Sequence, residues 1–81
     1  MKPAKTKGCE MARYWLFAED LRQTVVSAPN LAAAAKKLEA WLRGLDWGDE
    51  GARVWGEVTR LTREGRRTDE CADVTIDIEP Q

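Results

Sequence analysis

Asp73-Val74-Thr75-Ile76-Asp77-Ile78-Glu79 alternates without a break. Val74, Ile76 and Ile78 fall on one parity, and Asp73, Thr75, Asp77 and Glu79 on the other. A period of two places the apolar set on one side of a pleated strand and the polar set on the other. One side is therefore buried and one faces water, the pattern of an antiparallel sheet covered on a single face. The strand is expected over 71–79, and a sheet needs partners for it.

Upstream, 53–62 (Arg-Val-Trp-Gly-Glu-Val-Thr-Arg-Leu-Thr) reads as a third strand, joined to the last by a charged turn over 63–70 that contains Gly65. Residues 10–18 are short and aromatic, and 23–28 (Gln-Thr-Val-Val-Ser-Ala) are β-branched. These read as two strands of a hairpin, since only Glu19-Asp20-Leu21-Arg22 separates them. Between the two hairpins the period changes. Leu31, Ala34, Ala35, Leu38, Trp41, Leu42 and Leu45 recur at helical spacing, with Lys36, Lys37, Glu39 and Arg43 on the other side. Asn30 is placed to cap the start of a helix over 31–43, and Gly44 to end it in the left-handed conformation. The alanine run allows that helix to lie close against a sheet. The order is ββαββ, an α+β fold of two layers: a four-stranded antiparallel sheet with one helix packed on one face.

With 81 residues the chain holds one domain. Residues 1–8, dominated by Lys, Pro and Gly, read as a flexible basic tail, and 9–81 as the folded unit. Thirteen basic and fourteen acidic residues leave a net charge of -1, which gives no overall attraction to nucleic acid or anionic membrane. No secretory signal and no membrane-length apolar run are legible, so the expected location is the cytoplasm. Cys9 and Cys71 are too few and too far apart for a disulfide framework or a zinc site. A bridge between them would require the first and last strands to be neighbours.

The residues of common enzyme chemistry are missing. There is no histidine, Ser27 is the one serine, and no phosphate-binding or dinucleotide-binding glycine pattern occurs. Cys71 has acids, Glu70 and Asp73, for neighbours, which do not activate a thiol. The paired acids Asp49/Glu50 and Asp69/Glu70 fall in turns. Asp46, Asp49 and Glu50 lack the spacing of a calcium loop. The expectation is a protein without catalytic activity, cofactor or metal.

What remains is the sheet face away from the helix. If Val54, Gly56 and Val58 face the helix, Trp55, Glu57, Thr59 and Leu61 face away. If Tyr14 and Leu16 face it, Trp15 and Phe17 do not. Trp15, Phe17 and Trp55 would then lie beside Asp73, Asp77 and Glu79, unless the N-terminal tail or the Trp47 loop covers them. Exposed apolar area of this kind marks partner sites, and its acidity suits a basic protein surface, including one that otherwise holds nucleic acid. A homodimer through the same face is an alternative. Another is RNA or DNA binding, with Lys2, Lys5, Lys7, Arg60, Arg63, Arg66 and Arg67 on phosphates and the aromatics stacking bases. Asp73, Asp77 and Glu79 oppose that reading by charge.

Tyr14-Trp15-Leu16-Phe17, the Ala-rich helix ending in Trp41, the Gly44–Gly48 loop with Trp47, and Val74-Thr75-Ile76-Asp77-Ile78 together resemble short ββαββ proteins of phages and mobile elements. The resemblance spans 10–79. Such proteins include small inhibitors, anti-CRISPR proteins among them, that act by occluding a host complex. It implies a protein partner and carries over no functional residue.

Overall fold

The structure, a computed structural model, describes residues 11–80. The basic tail with Lys2, Lys5 and Lys7, and Cys9 with it, lies outside the described residues. Four strands, β1 (Ala12–Ala18), β2 (Gln23–Ala28), β3 (Ala52–Leu61) and β4 (Arg67–Ile78), and one helix, α1 (Leu31–Gly44), follow in chain order ββαββ. The sheet order is β2-β1-β3-β4, every neighbouring pair antiparallel. The α+β, four-stranded reading is thereby shown.

The helix forms where the period of the sequence becomes 3.6. The Asn30 side chain accepts a hydrogen bond from the Ala33 N–H at 2.8 Å, which satisfies one of the donors a helix leaves free in its first turn. Ala34, Leu38 and Leu42, four residues apart, lie on one face and are fully buried. Against them pack Tyr14, Leu16 and Ala18 of β1, Ala28 of β2, Val54 and Val58 of β3, and Ile76 of β4. The core is thus one layer between helix and sheet.

Gly44 does not end the helix in the left-handed conformation. The cap residue is Leu45 in extended conformation, whose N–H donates to the Leu42 carbonyl. The Trp47 indole N–H donates to the same carbonyl at 2.7 Å. Two donors satisfy this one orphan carbonyl of the last turn without a left-handed residue.

The two hairpins turn in the same way. In the first, Ala18 N–H donates to Arg22 O at 2.8 Å and Leu21 N–H to Ala18 O at 2.9 Å. In the second, Thr62 N–H donates to Arg66 O at 2.8 Å and Gly65 N–H to Thr62 O at 2.9 Å. Each is a three-residue loop with its last residue at positive φ. That residue is Gly65 at 89° in one and Leu21 at 76° in the other. A left-handed leucine carries about 1–2 kcal/mol of local strain, and the Leu21 side chain is 71% exposed, so it returns little by packing. Leu21→Gly is expected to stabilise the protein by about 1 kcal/mol, raising Tm by roughly 4–8 °C in thermal unfolding. An unchanged or lower Tm would contradict this.

The second turn is also shorter than its charge suggests. Arg67, Thr68, Asp69 and Glu70 belong to β4, not to a turn over 63–70. Gly65 closes the loop tightly, Leu61 pairs with Arg67, and the Thr68 hydroxyl donates to Arg60 O at 2.9 Å. A register shift between Thr59 and Leu61 accommodates the extra residues.

Candidate functional site

Register fixes what shares the face away from the helix. One row across the sheet reads Val25–Trp15–Thr59–Cys71, and the next Gln23–Phe17–Glu57–Asp73. Beyond these lie Trp55 opposite Thr75 and Arg53 opposite Asp77. The helix covers the other side, and among the described residues no other element lies over this face. Trp15, Phe17 and Trp55 all lie on it, as the alternation implies. Val25 and Trp55 are 48% and 44% exposed, while Trp15 and Phe17 are half-buried. The Trp47 loop does not cover it. Trp47 packs at the end of α1 against the helix-side core, with the Arg22 guanidinium 5.1 Å from its ring centre. Arg22 is held in turn by Asp20, whose carboxyl these hydrogen bonds draw below the usual carboxylate range.

The aromatic half of the face is tied together. Trp15 and Phe17 stack at 5.0 Å between ring centres, tilted by 32°. The Trp15 indole N–H donates to Gln23 Oε1 at 2.7 Å. The Arg67 guanidinium sits 5.0 Å over the Trp15 ring, within cation–π range. Between Trp15 and Cys71, Thr59 is buried to 4% exposure.

The acidic half is arranged differently from the sequence expectation. Asp77 is not an unpaired carboxylate: it accepts from Arg53 Nε at 3.0 Å. Glu79 follows the last residue of β4 and is exposed. Asp73 has an acid directly opposite, Glu57, which alternation placed on this face but which only register pairs with Asp73. Like charges facing each other across an antiparallel pair destabilise the sheet. Glu19, just past β1, joins the same end. Its carboxylate accepts from the Trp55 N–H at 2.9 Å, and its own N–H donates to Trp55 O at 3.1 Å. Glu57, Glu19 and Val25 thus complete the face.

The arginines proposed for phosphate contact do not form one patch. Arg60 pairs in register with Tyr14, on the helix side, and bonds Glu70 at 3.2 Å. There burial pushes the Tyr14 phenol above its ordinary pKa, Glu70 adds to the rise and Arg60 opposes it. Arg67 lies on the open side over Trp15. Arg63 is in the turn, its carbonyl accepting from Arg13 at 3.0 Å, and Arg66 donates its N–H to Thr62 Oγ1. Arg67 also occupies a ring face that a base would need for stacking.

A bridge between Cys9 and Cys71 was conditional on adjacent strands. β3 separates β1 from β4, and Cys71 is a free, exposed thiol on the open face. Among the described residues no three His, Cys, Asp or Glu side chains are grouped to hold a metal ion, and no helix is long and apolar enough to cross a membrane. No protein-family model matches the chain, and no curated protein or solved structure matches it either.

Proposed function

We propose that the protein is a non-enzymatic binding module that docks a basic protein surface on its open sheet face and acts by covering it. The observation that carries this reading is the open face itself: Trp55 is exposed beside the carboxylates of Glu57, Asp73 and Glu19, and Val25 is exposed at the β2 edge of the same face. Exposed aromatic area supplies burial energy, and the carboxylates select a partner of opposite charge. The resemblance to small inhibitors encoded by phages and mobile elements would make that partner part of a host complex. Phosphate backbones are disfavoured by the same carboxylates.

The test is capture from cell extract with three forms of the chain. Wild type and Lys36→Glu, altered on the outer face of α1, are expected to retain the same basic protein. The double variant Glu57→Lys/Asp73→Lys is expected to lose it. Equal retention by all three would remove the open face from the reading. Asp77→Lys is expected to do less harm than Asp73→Lys, because Asp77 already has a cation beside it.

A further inference from the structure

The guanidiniums of Arg53 and Arg67 on the open face are already engaged, that of Arg53 with Asp77 at 3.0 Å. Arg67 lies over Trp15, 5.0 Å from its ring centre. One row away the chemistry is reversed. Glu57 and Asp73 face each other, while the ion pairs among the described residues are made by Asp20, Asp77 and Glu70 instead. Two positions along β3 from Glu57 is Trp55, 44% exposed, and the cations that lie over indoles among the described residues sit on Trp15 and Trp47. Among the described residues the face therefore presents an indole with no cation over it and two facing carboxylates that make no ion pair, two rows and one row respectively from an indole that carries a guanidinium.

We propose that the face docks a protein surface bearing an arginine, and that Trp55, Glu57 and Asp73 receive its side chain. This rests on the reading of the open face as a docking surface and names the chemistry of the occupant. A guanidinium is planar and weakly hydrated, so it stacks on an indole while its edge donates to carboxylates. The ammonium of lysine is a compact, strongly hydrated point charge and does not satisfy both at once. An incoming arginine also places a cation against two carboxylates that register sets opposite each other. A nucleic acid brings the wrong charge for this site.

Acetylated octaarginine and octalysine of equal charge, titrated into the 15N-labelled protein, separate the outcomes. Octaarginine is expected to move the Trp55 indole N–H and the amides of Glu57 and Asp73, and to bind about tenfold more tightly than octalysine, the scale of one good charge-assisted contact. Glu57→Gln/Asp73→Asn is expected to remove that preference. It relieves like-charge repulsion, so the variant keeps its fold. Equal affinity for the two peptides, with shifts on the same face, would overturn the arginine receptor and leave the acidic docking surface standing. Shifts confined to other parts of the protein, or no binding, would overturn both.

Discussion

Gly56→Val is expected to unfold the protein or leave it only marginally stable. Gly56 lies in β3, between Ala18 of β1 and Val74 of β4, directly beneath the helix. A Cβ there would meet the Phe17 carbonyl oxygen at 2.9 Å, Leu38 Cδ1 at 3.0 Å and Leu42 Cδ1 at 3.1 Å. The two leucine methyls have some freedom to give way, but the carbonyl belongs to a paired strand and does not. Overpacking by a methylene costs about 1–3 kcal/mol, and valine adds three carbons. A loss of roughly 3 kcal/mol or more would be set against a total stability of roughly 4–12 kcal/mol for a chain of this length. Gly56→Ala is expected to lose about 1–3 kcal/mol. Urea unfolding of the two variants measures both. Wild-type stability in Gly56→Val would mean that the helix does not lie where the leucines place it.

Leu38→Ala is the complementary change, a deletion where Gly56→Val is an insertion. Leu38 is fully buried and touches the strand at the place glycine leaves open. Truncation there is expected to cost about 2–5 kcal/mol, the transfer of the lost methyls plus the cavity behind them. Because the Gly56 and Leu38 positions meet, the costs of Gly56→Ala and Leu38→Ala are not expected to add. The double variant should be less damaged than their sum, since the new methyl enters space the leucine has vacated. A loss under about 1 kcal/mol in Leu38→Ala would contradict a core centred on this contact.

The fold was legible because its signals are local. Alternation from Val74 to Ile78 identifies a half-buried strand without any knowledge of its partner. Asn30 and the leucines after it mark a helix, and parity alone divides Tyr14 and Leu16 from Trp15 and Phe17. What escaped depends on contacts between segments. Arg67 to Glu70 read as a turn because charge is the signature of loops, yet β4 is an edge strand, where charged residues are tolerated and discourage unwanted pairing. Gly44 looked like a helix terminator, and the Trp47 indole, five residues after Leu42, does part of that work. The opposition of Glu57 and Asp73 is a property of register, visible in neither strand alone. Likewise the arginines from Arg60 to Arg67 are neighbours in sequence, and the pleat sends Arg60 and Arg67 to opposite faces.

The central claim is that the face opposite the helix lies open in the free protein and is covered on binding. Cys71 reports on it directly, as an exposed thiol in the same row as Trp15 and Thr59. In a Cys9→Ser chain, Cys71 is expected to react with iodoacetamide nearly as fast as in the unfolded chain, at a rate independent of protein concentration. Saturation with the captured basic partner is expected to slow that reaction several-fold. A thiol protected in the free protein, or protected increasingly as concentration rises, would show the face closed by the chain itself or by a second copy, and would contradict the account.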